Sequence, residues 1–214
     1  MFTTFVTALD WSGTAVFALT GALMAARRQM DIFGFGALAV ATGIGGGTIR
    51  DMILGIAPVT WVAQPEYLRI CIAVAVVTYF TAHLMQPRYR TVMWLDAVGL
   101  SLFSVVGAER ALALDASLPV AIMMGIATAT FGGIVRNILA GETSALLAKD
   151  IYPAASLAGA SVYVLARLTD DLPIEAAGVM GFAACFAVRG LALYFGWQMP
   201  AYKMRAEPEP EKTE

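Results

Sequence analysis

The chain has 214 residues, 59% of them hydrophobic and only 14% charged, with a formal net charge of −2. A soluble domain is about 45–50% apolar and about 25% charged, so too little of this sequence is polar to cover a water-facing surface. The slight acidic balance also excludes a basic nucleic-acid surface.

Seven segments are long enough to span a bilayer, which takes roughly 17–25 residues each. Span 1 covers about 4–26 and holds Asp10 within its apolar run. With no Lys or Arg before Arg27, it reads as a span rather than a cleaved signal peptide. Span 2, about 32–55, carries Thr42-Gly-Ile-Gly-Gly-Gly-Thr-Ile-Arg-Asp51 late in its length. Span 3 covers 67–85 and ends near His83, the one histidine, an interfacial residue. Span 4 covers 92–114 and has Asp96 near its start. Span 5, 117–140, repeats the motif as Thr128-Ala-Thr-Phe-Gly-Gly-Ile-Val-Arg-Asn137. Thr143–Leu147 is a short apolar bridge into span 6, at 150–168, and span 7 follows at 174–197. Cys71 and Cys185 fall inside spans and read as small buried hydrophobes. The end, 199–214, is expected to be a disordered cytoplasmic tail, in which Ala206–Glu214 alternates Pro, Glu and Lys.

Short-loop basic residues set orientation. Arg27, Arg28, Arg88, Arg90, Lys149, Lys203 and Arg205 fall on one side of a seven-span chain. Arg69, Arg110 and Arg167 fall on the other, among Glu66, Glu109, Asp115, Asp170, Asp171 and Glu175. The N-terminus is therefore expected outside and the C-terminus in the cytoplasm. Trp61, Trp94, Trp197, Tyr67, Tyr89 and Tyr202 lie near span ends, as an aromatic belt would.

A shift of 86 positions aligns residues 9–55 with 95–141 without a gap. It matches Asp10 with Asp96, Gly21 with Gly107, Thr42 with Thr128, Gly46 and Gly47 with Gly132 and Gly133, and Arg50 with Arg136. Chance likeness between apolar segments would match Leu, Ala and Val, not Asp, Arg and a Gly-Gly pair in register. Each copy holds three spans, an odd number, so the second copy enters the membrane inverted. The expected architecture is an all-α membrane protein of seven transmembrane helices. An inverted 3+3 repeat (1–90 and 91–172) precedes a seventh helix (173–198), and helices 2 and 5 are broken at their glycines.

Glycine-broken helices beside an arginine, in matching positions of two halves, point to a transport pathway. Gly45, Gly46, Gly47, Gly132 and Gly133 have two readings: close packing through small residues, or unwinding that bares carbonyls to a cation. Consecutive glycines favour unwinding. Arg50 and Arg136 either snorkel to headgroups or face a buried path, and their recurrence favours the path. Depth pairs Asp10 with Arg50 and Asp96 with Arg136; Asp51 competes for Arg50. Thr42, Thr48, Thr128 and Thr130 either offer hydroxyls to a cation or bond back to their own helix. No metal-ligand cluster, nucleophilic triad or phosphate loop is readable, so neither an enzyme nor a cofactor is expected.

With seven spans, the inverted repeat and Gly-Gly-Gly-Thr-Ile-Arg-Asp in span 2, the chain resembles the bacterial branch of the trimeric intracellular cation (TRIC) channels. Part of that branch is also described as a glycine-transporter domain family. The resemblance covers about residues 5–198 and is most specific at Gly45–Asp51 and Phe131–Asn137. It implies a homotrimer embedded among membrane lipids in a bacterial inner membrane. One pore in each protomer would pass monovalent cations, K+ chiefly and Na+. The five glycines would be hinges, and Arg50 and Arg136 would be basic residues near the constriction. Phe131 replaces Gly45 and Asn137 replaces Asp51 in the second copy, so the two hinges need not move equally. The rival is a secondary transporter of a small zwitterion such as glycine. A purely structural scaffold would leave the repeated intramembrane arginines unexplained.

Overall fold

The computed structural model describes residues 4–84, 88–142, 151–169 and 172–199. The bridge at Thr143–Leu147, Lys149, Asp170, Asp171 and the tail from residue 200 lie outside the described residues. In chain order the helices are α1 (Thr4–Arg27), α2 (Ile32–Ile53), the one-turn α3 (Thr60–Ala63) and α4 (Glu66–Thr81). A 3-10 turn, Ala82–Leu84, extends α4. Then come α5 (Arg88–Leu112), α6 (Leu118–Leu139), α7 (Tyr152–Ala166) and α8 (Ile174–Phe195). α5 starts before the boundary at 91 that the sequence suggests for the second repeat.

Six of these helices are long and apolar enough to cross a membrane. α7, expected over 150–168, is the departure. Its 15 residues reach about 22 Å, short of a hydrocarbon core of about 30 Å. Pro153, in its first turn, fixes its start because proline fits where no helical N–H is required.

Local chemistry explains the helix ends. Asp31 caps α2, its Oδ1 accepting from the Gly34 N–H at 2.8 Å. α2 and α6 close alike. Gly55 and Gly141 take φ of +69° and +65°, a conformation that favours glycine. Beyond them Ile56 N–H donates to Asp51 C=O, and Glu142 N–H to Asn137 C=O, each at 2.8 Å. The turns after α1 and α5 also match: Met30 N–H reaches Ala25 C=O and Ala116 N–H reaches Ala111 C=O, both at 3.1 Å. Every one of these pairs obeys the 86-residue offset.

Packing follows the same offset. α1 and α5 lie together at the centre and are the most buried of the long helices. α1 packs on α2 and α4, α5 packs on α6 and α7, and α2 crosses α6. α8 lies outside this pattern, against α7 and α5. Contacts are reciprocal across the centre. Gly13 faces the Phe103 ring while Gly99 faces Phe17, and the two rings meet with centroids 5.1 Å apart. Gly21 backs on Leu38 and Thr42, and Gly107 on Met124 and Thr128.

The expected breaks at the glycines are absent. α2 and α6 run as continuous α-helix through Gly45, Gly46 and Gly47 and through Gly132 and Gly133. Close packing is the physical reason. A Cβ on Gly46 would overlap the Thr128 carbonyl oxygen, and one on Gly132 would lie 2.6 Å from that of Thr42. The two backbones therefore touch at a crossing that only glycine permits, and the helical hydrogen bonds stay intact. Gly133 yields in the same way to the Tyr152 hydroxyl, 2.6 Å from where its Cβ would be. Gly45 and Gly47 face roomier surroundings.

Candidate functional site: two buried arginine clusters

Arg50 lies one turn from the end of α2, and its side chain is only 1% exposed. Its Nε and Nη2 both point at Asp51 Oδ1, each at 2.8 Å. The other oxygen of Asp51 accepts from the Thr60 N–H at 2.7 Å, so this carboxylate also caps α3. Asp10, on α1, is 3.8 Å from Arg50 Nη1. Its closer partners are Arg110 Nη2 at 3.0 Å and the Tyr67 hydroxyl at 3.1 Å. The expected Asp10–Arg50 pair is thus loose. Asp51, adjacent in sequence, takes Arg50, and Arg110 takes Asp10. Two carboxylates meet two guanidiniums, the balance that makes buried charge tolerable.

The second cluster is built on Arg136 of α6. Its Nη1 donates to Asp96 Oδ1 at 2.7 Å and to Thr20 Oγ1 at 3.1 Å, and its Nε donates to Asn137 Oδ1 at 3.1 Å. Asp96 and Arg136 therefore form the direct pair that depth suggests. Asn137 keeps the hydrogen bond of Asp51 but not its charge. Arg189 of α8 lies over the Tyr152 ring, 5.1 Å from its centroid, and both residues are buried.

Both arginines point inward; neither reaches for headgroups. A cavity of about 20 Å³, room for about one water, sits beside the first cluster. Asp10, Arg50, Asp51, Thr60, Trp61 and Phe103 are among its walls. Trp61 closes over it by donating Nε1–H to Thr48 Oγ1 at 3.1 Å. All four candidate threonines bond back to the carbonyl four residues earlier. Thr42 reaches Leu38 at 2.6 Å and Thr48 reaches Ile44 at 2.8 Å. Thr128 reaches Met124 at 2.6 Å and Thr130 reaches Ile126 at 2.8 Å. Their hydroxyl protons are engaged in this conformation.

Outside the clusters, Glu109 accepts from Tyr163 at 2.6 Å and lies 3.6 Å from Arg167. At the end of α1, Arg27 and Arg28 reach Glu142 at 3.2 and 3.3 Å, and Arg28 also donates to the Gly141 carbonyl.

The chain and its fold have known counterparts. A family model described as "Glycine transporter" matches over residues 7–83 and 93–167, the second segment starting 86 positions after the first. A structure described as the TRIC trimeric intracellular cation channel orthologue from Rhodobacter sphaeroides shares 51% identity at a TM-score of 0.88. It covers 91% of this chain and 100% of that one. The chain belongs to the TRIC channel family. A prokaryotic TRIC channel solved in 0.5 M KCl superposes at a TM-score of 0.84 with 26% identity, over 90% of this chain and 97% of that one. The UPF0126 inner membrane protein YadS of Escherichia coli K12 is 38% identical over 92% of this chain and 95% of its own length. A UPF0126 membrane protein of Vibrio cholerae is 39% identical over 92% of this chain and 82% of its own. These relatives are membrane and channel proteins, not enzymes.

Against this TRIC fold, several buried polar residues in and beside the clusters were hidden in the sequence. Arg110 and Glu109 read as loop charges, yet they are buried in the last turn of α5. Tyr67 reads as part of an aromatic belt, yet its hydroxyl is committed to Asp10. Arg189 stands inside span 7, and a charge at that depth was itself the available signal.

Proposed function

We propose that the protein is a cation channel with its path inside each protomer, along the interface of two inverted repeats. The observation that carries this reading is the arrangement of the two arginine clusters. They lie on either side of the Phe17–Phe103 pair and the α2–α6 crossing, and the 86-residue offset relates their main parts. The solved neighbours described as TRIC cation channels support it. The reciprocal contacts and the two-segment family match support the 3+3 inverted repeat, with α8 as a seventh span and α7 as a short one.

In this conformation the path is shut. Phe17 and Phe103 are buried at its middle, and each arginine is held by a carboxylate. Cation passage needs the rings to part and the guanidiniums to move, which frees Asp10, Asp51 and Asp96 to attract cations. Gly45 and Gly47, spared from the crossing, are where α2 can bend; Gly46, Gly132 and Gly133 hold helices together. The permeant ions are monovalent, K+ chiefly and Na+. The assembly is a homotrimer in a bacterial inner membrane, as relatives named inner membrane proteins and trimeric channels support. The N-terminus faces out and the C-terminus faces the cytoplasm.

The family model's description favours one rival, a carrier of a small zwitterion such as glycine. Purified protein in planar bilayers under a KCl gradient separates the two. A channel gives unitary currents that reverse near the potassium equilibrium potential. Absence of unitary currents, together with saturable glycine counterflow in vesicles, would replace the channel with the carrier.

A further inference from the structure

We propose that the furrow between the start of α5 and the end of α8 binds an anionic phospholipid of the adjoining leaflet. Two cavities meet there. One of about 520 Å³ is lined by Tyr89, Arg90, Tyr194 and Trp197 at the helix ends. The other, about 480 Å³, shares Arg90 and Trp94 with the first and continues past Leu95, Val98 and Phe186.

Their sequence positions set their depths. α5 enters the bilayer from Arg90, and Val98 lies about 12 Å along its axis. α8 returns to the same membrane surface, and Phe186 lies about 13 Å deeper than Phe195. The first cavity is therefore at the interface, where amphipathic aromatic rings settle, and the second is one to two turns deeper. A headgroup in the first and an acyl chain along the second fit this pair of depths.

The walls are prepared for it. Gly190 of α8 lies beside Trp94, where a Cβ would stand in ordinary contact with the indole at 3.4 Å. Trp94 meets Phe186 at 6.2 Å with the rings tilted, and Phe186 in turn stacks on Phe182 at 5.8 Å, so two packed aromatic rings line the deeper cavity. The mouth carries the exposed Arg90, and none of the lining residues is acidic, so the charge selects an anion. The site is independent of whether the protein conducts.

Tryptophan quenching by brominated lipid tests this. The full-length protein is placed in phosphatidylcholine vesicles doped with dibrominated phosphatidylglycerol, or with the same fraction of dibrominated phosphatidylcholine. Trp94 and Trp197 report the furrow, and Trp11 and Trp61 are a constant background. The expected preference for the anionic lipid is about fivefold, equivalent to about 1 kcal/mol, the scale of one basic residue at an anionic surface. Arg90→Gln, on an exposed side chain, should bring the ratio to near one without altering the fold. Equal quenching by the two lipids, or a preference that survives Arg90→Gln, would overturn the proposal. Tyr194→Cys supplies the second arm. Disulfide-linked oligomers on oxidation would assign the furrow to a second copy of the chain and overturn it too; a monomeric product supports the lipid.

Discussion

At the scale of single residues, the two clusters differ in how much depends on one arginine. Arg136 is the direct ionic partner of Asp96, so Arg136→Ala strands a buried carboxylate. Breaking such a pair costs about 3–5 kcal/mol, and Asp96→Asn in the same chain should recover much of it. Arg50→Ala should cost less, because Asp51 keeps the Thr60 N–H and Asp10 keeps Arg110 and Tyr67. Unfolding of the three variants in detergent checks the order; equal losses at Arg50 and Arg136 would contradict it. A double-mutant cycle should likewise find stronger coupling for Asp10–Arg110 than for Asp10–Arg50. Duplication is what made Asp10, Asp96, Arg50 and Arg136 legible from sequence, since chance does not repeat charges in register. The same logic was blind to what is not repeated. Arg110 aligns with Met24, and Arg189 lies outside both copies, so neither had a twin to draw notice.

At the scale of helices, apolar length located the long elements to within a few residues, because a bilayer imposes that length. The state of the glycine segments was not legible. Three consecutive glycines suit an unwound strand as well as a tight crossing, and only the opposing backbone decides. Here Thr128 opposes Gly46 and Thr42 opposes Gly132. Gly46→Ala and Gly132→Ala should therefore each force the crossing apart and cost about 1–3 kcal/mol, as overpacking does. Gly45→Ala meets only ordinary contacts, nearest at 3.9 Å, and should leave stability unchanged or slightly raised. Thermal unfolding reads the contrast. A Gly46→Ala variant as stable as the parent would show that the crossing yields. Conduction adds a separate measure: if α2 bends at Gly45 on opening, Gly45→Ala lowers open probability while stability holds.

At the scale of the whole molecule, the pseudo-symmetry holds at the centre and fails at the two mouths. On the side where α2 ends, Asp51 and Thr48 hold the Thr60–Trp61 turn over the first cluster. On the side where α1 and α6 end, Arg27 and Arg28 converge on Glu142. Glu142 aligns with Ile56, so this latch has no counterpart across the membrane. Orientation can be fixed first. Cys71 and Cys185 are buried, so a cysteine at exposed His83 should react with an impermeant thiol reagent only after permeabilisation. One at Leu114 should react from outside intact cells, and the reverse pattern would invert the topology. The latch then makes a graded prediction. Its ion pairs are partly exposed, and such pairs are worth about 0–1 kcal/mol each and weaken with salt. They tie the end of α1 to the end of α6, one element from each repeat, so they resist separation of the repeats at that mouth. Glu142→Gln should raise open probability about two- to fivefold, the ratio that about 0.5–1 kcal/mol produces. Raising KCl on that side alone should open the parent by a similar factor and leave Glu142→Gln unmoved, after correction for driving force. If parent and variant respond to salt alike, the arginines are only solvated helix ends, and gating resides in the buried clusters.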